Sequence, residues 1–179
     1  MTLSPPVEAS PEVQAYRQKI IDRLQGRDPI EVMAATPDAF AAMMRGVSEA
    51  ELHARPAPGK WSACEILGHM QDADLFFNVR VRMVLCQERP VLLGYDQDLL
   101  VAGQRYQKRS SGELLEEFRR LRAIGLGLWR RIAPEQYDRV GLHSERGPES
   151  IGLMRQLMPG HDLVHIAQMQ RHLDAVRAK

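Results

Sequence analysis

The residues best suited to chemistry are the six histidines, at positions 53, 69, 143, 161, 165 and 172. The most informative stretch is His161-Asp-Leu-Val-His165. On an α-helix four residues turn the chain by about 400°, so the two imidazoles stand one above the other on a single face. That geometry lets both rings bind one metal ion. With six histidines in 179 residues, a pair at that separation arises often enough by chance that spacing alone decides nothing. His69 lies midway along a second strong helical pattern, with Glu65 one turn before it and Ala73 one turn after. Helix bundles build metal sites from side chains projecting inward from different helices, which makes His69 the natural third ligand. From composition alone it reads equally as a hydrogen-bonded core histidine. His172 returns to the face of His161, yet stands about 10 Å farther along the axis than His165. It reads as a surface or bundle-end histidine. His53 and His143 fall in loop-like stretches.

Three neutral imidazoles on a divalent ion leave coordination positions open. A water bound there falls to a pKa near 7, and a thiolate can take the same place. Imidazole ligands suit zinc, nickel, iron and copper alike, so the metal is not readable. Ligation needs neutral rings, so affinity is expected to fall as pH drops through about 6. Glu65 is a candidate base, although its place three residues after Ser62 is also that of a capping-box acid. Asp162 and Gln168 can orient ligand imidazoles, but Asp162 is rotated about 100° from His161, toward solvent. Cys64 points away from His69 and reads as a small buried side chain. Arg119-Arg120-Leu121-Arg122 and Arg130-Arg131 read as solvated faces, with an anionic cosubstrate as the other use. A catalytic site would need a cleft lined from residues 89–110 and 138–148. A non-catalytic metal-binding protein would seal its histidines.

The elements that must hold these residues are helical. Ser10-Pro11-Glu12 is a helix start, and Val13, Tyr16, Ile20 and Leu24 carry its apolar face toward Gly26. Asp28-Pro29 and Thr36-Pro37-Asp38 each restart helix, so residues 28–46 read as broken pieces. Residues 55–59 form a loop. Ser62 with Glu65 opens a long helix to about Gln87, and residues 111–133 carry another. The last helix spans residues 151–176, with Pro159 predicting a kink or a late start. Between them, residues 89–110 form a long connection with a short helix around 97–106. Residues 138–148 read as loop, and Pro90-Val-Leu-Leu93 is the only strand-like piece. Four substantial helices, near 11–26, 62–87, 111–133 and 151–176, predict an all-α four-helix bundle without a sheet beyond a marginal bridge. The long connection between the second and third helices can cross over the bundle.

Composition narrows the rest. The chain carries 24 Lys+Arg against 23 Asp+Glu, a net charge of +1, which gives no electrostatic reason to expect nucleic acid or an anionic membrane. Two cysteines, Cys64 and Cys86, make no disulfide framework and predict a reduced, cytoplasmic setting. No apolar run is long enough to span a membrane, and residues 1–11 lack the pattern of a secretory signal. Residues 1–10 read as a flexible leader and 11–179 as one domain, large enough to fold without a metal.

Trp61-Ser62, then Glu65-Ile-Leu-Gly-His69, then Gly147 and His161-Asp162-x-x-His165-x-x-Gln168 resemble the DinB superfamily of DinB- and YfiT-like proteins. Gly94-Tyr95-Asp96-Gln97-Asp98, with Ala102 and Tyr106, is similar to that family's long crossover, so the likeness spans residues 11–175. The resemblance implies a bundle in up-down-down-up order and a divalent metal (zinc, nickel or iron) on His69, His161 and His165. It implies a metal-dependent enzyme of hydrolase or thiol-dependent S-transferase type, with a small-molecule thiol as cosubstrate. The alternative is a non-catalytic, metal-binding or stress-associated protein. A homodimer through a bundle face is expected in either case.

Overall fold

Ser10, Asp28, Ser62, Ser110 and Ser150 each accept a backbone N–H from the turn that follows and so open the five longest helices of the structure. The structure is a computed structural model, and it describes residues 8–178. The helices are α1 (Pro11–Ile21), α2 (Pro29–Met44), α3 (Glu49–His53), α4 (Ala63–Cys86), α5 (Gln97–Gln104), α6 (Ser111–Trp129) and α7 (Ile151–Arg177). Over residues 1–7, the leader assigned to residues 1–10 lies outside the described residues.

Contacts between helices fix their directions. Asp28 meets Arg155 and Thr36 meets Asp162, so α2 and α7 run parallel. Gln71 meets Leu114 and Asp74 meets Arg122, so α4 and α6 also run parallel. Met33 meets Arg122 while Asp38 meets Arg119, so α2 opposes α6. The bundle order is therefore up-down-down-up, and residues 87–110 carry the chain back between the two parallel central helices.

The first bundle helix is α2, not the 11–26 segment, and it is one rod rather than broken pieces. Asp28 caps it through Ile30 and Glu31. Thr36 starts nothing, because its hydroxyl donates to the Val32 carbonyl at 2.8 Å and contacts Asp162 at 2.9 Å. Pro37 cannot donate to the carbonyl four residues back, that of Met33. The Arg122 guanidinium donates to it instead, at 2.8 Å, so the lost backbone bond is replaced from a facing helix. The segment 11–21 packs outside the four, against α7. Pro159 lies within α7 without ending it, and no late start occurs.

Two apolar clusters fill the bundle. Phe40, Ile66, Met70, Leu114, Phe118 and Met169 belong to one, and Met33, Val81, Leu126, Trp129, Met154 and Met158 to the other. Between them each helix contributes a polar residue: Thr36, Asp74, Arg122 and Asp162, all buried. Arg122 was expected on a solvated face and Asp162 toward solvent; both are about 1% exposed. The guanidinium forks onto Asp74 at 2.9 Å and onto Asp162 at 2.5 and 2.9 Å. Arg119 and Arg120 do face outward, to Asp38 and Glu116.

A small sheet also forms, from the strand-like piece at 90–93 and from the 138–148 region, where a loop was expected. β1 (Val91–Leu92) runs parallel to β2 (Val140–His143), which pairs antiparallel with β3 (Gly147–Ser150). The buried positions of the β2–β3 hairpin are Gly141, His143, Gly147 and Glu149, so its inward alternation is polar or small and leaves no apolar period to read. No helix among the described residues is long and apolar enough to cross a membrane.

Candidate metal centre

The Ser62–Glu65 capping box fixes the start of α4, and His69 stands one turn further on its buried face. His161 and His165 stand one turn apart on α7, two residues beyond Pro159. The three Nε2 atoms converge: His161 lies 3.1 Å from His69 and 3.0 Å from His165. Three imidazole ligands about 2.05 Å from one tetrahedral ion would stand about 3.3 Å apart, so the donor set fits a metal of this class. Ring nitrogens this close cannot all be satisfied by one another, because neutral imidazole has a single N–H to donate. His165 Nδ1 contacts Gln168 Oε1 at 2.7 Å, so that side is the N–H and the Nε2 lone pair faces the cluster. Gln168 therefore orients a ring, as expected. Trp61 covers the group, with its ring 4.8 Å from His69 and stacked on His165 at 6.4 Å.

Burial, reinforced by the neighbouring His165, pushes His69 down to about 3. Burial pushes His165 down to about 4 against the opposing pull of Gln168, and holds His161 well below its usual range. The rings are thus neutral donors far below pH 6, and protons compete with a metal at lower pH than the sequence suggested. His143, buried on β2 beside Arg146, is likewise lowered to about 4. A ring that is neutral when folded and protonated when unfolded releases its proton on folding. Stability is therefore full above pH 6.5 and is lost as pH falls toward 4. His143 contributes to this loss in the same direction. Chelator-treated protein should accordingly unfold at clearly lower urea at pH 5 than at pH 7.5. An unchanged midpoint would contradict the burial of these rings.

The other candidates fall elsewhere. Glu65 accepts from the Ser62 amide at 2.8 Å, from Arg55 and from Gln107 at 3.1 Å. Burial raises its pKa, but these bonds outweigh it and leave the carboxylate below its usual range, a capping acid and not a base. His172 is outside the group, as predicted, but is buried rather than superficial and contacts the Ala54 carbonyl at 3.0 Å. His53 lies on α3 rather than in a loop, between Glu49 at 3.2 Å and Cys64 Sγ at 3.6 Å. Burial pushes the Cys64 thiol up to about 12. It stays protonated, as the small buried side chain expected, and this second group joins α3 to α4.

A cleft of about 140 Å³ opens onto His69 and His161. The long crossover supplies Tyr95 and Gln97 and the β2–β3 turn supplies Arg146, as a catalytic site would require. Its remaining wall was not foreseen. Tyr16 and Arg17 come from α1, which approaches α7 closely because residue 160 is glycine; a Cβ there would stand 2.5 Å from the Ile20 carbonyl oxygen. Arg80 comes from α4. His143 Nδ1 accepts the amides of Glu145 and Arg146 at 3.2 and 3.3 Å, shaping the turn that presents Arg146.

Comparison with known proteins follows the same lines. The family model of the DinB superfamily matches residues 33–169. Among solved structures, YfiT from Bacillus subtilis superposes with a TM-score of 0.71 at 18% identity, covering 96% of this chain and 97% of that one. YfiT is described as a probable metal-dependent hydrolase with an unusual four-helix bundle topology. A comparison with curated proteins finds no match.

Proposed function

The chain belongs to the DinB superfamily, and from that premise we propose that it is a metal-dependent hydrolase whose divalent ion is held by His69, His161 and His165. The observation that carries this reading is the convergence of three neutral Nε2 atoms, two of whose rings, His69 and His161, line a cleft. A divalent ion there supplies Lewis acidity and brings the pKa of water near 7. Gln168 holds the His165 ring in the ligating tautomer, and Trp61 shields the rings from bulk water on one side. His161, only partly buried, gives the cleft its access to the donor set. The description of YfiT supports a hydrolase at the level of fold likeness.

Elemental analysis of protein purified without an affinity tag should find about one divalent ion per chain. Chelation should abolish hydrolysis across a panel of small esters and amides, and zinc, nickel or ferrous ion should restore it. Metal well below one per chain after saturation and dialysis would overturn the reading. Adding a low-molecular-weight thiol separates the transferase form of the same site, in which product forms only with thiol present. We also propose a homodimer through Leu75 and Val79, one turn apart and half-exposed on α4, with Ile124 on α6. Sedimentation should then give twice the 20.3 kDa chain mass.

A further inference from the structure

We propose that the substrate of this cleft is a small anion, its carboxylate or phosphate group held by Arg80 with Arg17 and Arg146. The proposal rests on the reading of the three-histidine group as the reaction centre, because the same cleft is lined by His69 and His161.

Arg80 is the main observation. It is only 5% exposed, its Nε has no hydrogen-bond partner, and among the described residues no carboxylate lies within ion-pair distance of it. Its NH2 group donates to the Leu93 carbonyl. The guanidinium lies 5.6 to 5.9 Å from the ring centres of Phe76, Phe77 and Tyr95. Such rings offset part of the desolvation cost but neutralise no charge. A buried cation without a counter-ion is expensive, and proteins seldom keep one unless something arrives to pair with it.

Arg17 repeats the pattern independently. Its NH2 is held by the Arg146 and Pro148 carbonyls and by Glu149, while its Nε is buried without a partner. Arg146, on the partly exposed rim, also pairs with Glu149 at 2.7 Å. Glu149 thus answers two of the three guanidinium groups, and Glu145, with its carboxylate against Gly94, is the other acid close enough to act on Arg80, so three cations face two carboxylates. Burial and then the neighbouring Arg146 lower the Arg80 pKa, and the opposing pull of Glu149, Tyr95 and Glu145 does not make up the difference.

The chemistry fits an oxyanion. A guanidinium presents paired N–H donors in a plane that matches carboxylate or phosphate, and these charge-assisted bonds strengthen where water is excluded. At about 140 Å³ the cleft holds the volume of roughly five waters, enough for a small acid. The anionic group anchored at Arg80 would leave the rest of the molecule to face His69 and His161.

Calorimetric titration of the full chain, stripped of metal so that the anion cannot simply ligate an ion, tests this. The probes are succinate, inorganic phosphate and, as neutral control, succinamide. One anion should bind saturably and more weakly at high salt, succinamide should not bind, and the tighter of the two anions identifies the group. Arg80→Gln should weaken binding at least tenfold with the helical circular dichroism unchanged. Should that variant misfold, Arg80→Lys, which keeps charge but loses the fork, and Arg146→Gln at the rim should each weaken binding severalfold. Equal binding of succinamide, no binding by either anion, or unchanged binding in the folded arginine variants would overturn the proposal. Because the titration is metal-free, these results stand apart from the hydrolysis assay, which tests the metal-dependent reading.

Discussion

His161→Ala should bind metal at well under a tenth of an ion per chain and should lose measurable hydrolysis, while its helical circular dichroism stays that of the parent. His161 Nε2 lies 3.1 and 3.0 Å from the other two Nε2 atoms, so its removal leaves only two imidazole donors, His69 and His165, to hold the ion. Partners that merely orient a ligand cost 10- to 100-fold in affinity when removed. A ligand should therefore cost at least about a hundredfold, and Gln168→Ala the smaller amount. The fold should survive, because the bundle core is built from two apolar clusters that do not involve the ion. His172→Ala is the control, buried against the Ala54 carbonyl and outside the group, and should leave metal content unchanged. Full occupancy in His161→Ala, or loss in His172→Ala, would refute the assignment.

Arg122→Met should destabilise the protein by about 3–5 kcal/mol, the cost of leaving buried charges without their partner. Arg122 holds Asp74 and Asp162 together with the Met33 carbonyl that Pro37 leaves free. Removing it strands three acceptors in the middle of the bundle. For a chain of this size the loss lowers the melting temperature by roughly 10 °C or more. Arg122→Lys should fall between, since an ammonium keeps the charge but cannot fork onto both carboxylates. A melting temperature within a degree or two of the parent for Arg122→Met would show that the two carboxylates are neutralised some other way.

The three-histidine group is legible in the sequence because two of its members share one helix face and the third follows a recognisable helix start at Trp61-Ser62. The fold class is legible for a similar reason: four long stretches repeat apolar residues at helical spacing. The buried ion layer was legible too, but was read as surface. Leu114, Phe118, Arg122 and Leu126 recur every four residues, so Arg122 lies on the apolar stripe itself, whereas the neighbouring Leu121 and Ile124 are only partly buried or exposed. The cationic wall was hidden for a different reason. Arg17, Arg80 and Arg146 come from three elements more than sixty residues apart, and no spacing rule joins them. Pro37 misled because its missing bond is replaced by a tertiary partner that local pattern does not show.

The layer of Thr36, Asp74, Arg122 and Asp162 also has a bearing on alignment along the bundle axis. The apolar residues above and below it are interchangeable in kind, so a helix sliding by one turn, about 5.4 Å, would meet another acceptable hydrophobic contact. The same slide would part Arg122 from its carboxylates, at a cost of the same 3–5 kcal/mol that separates one register from the next by a factor of a hundred or more. The ion layer thus acts as an index mark on four otherwise slippery rods. Because Asp162 adjoins His161, and Asp74 follows His69 by little more than a turn, the mark that fixes the helices' heights also fixes the height at which three nitrogens from two helices arrive at one point.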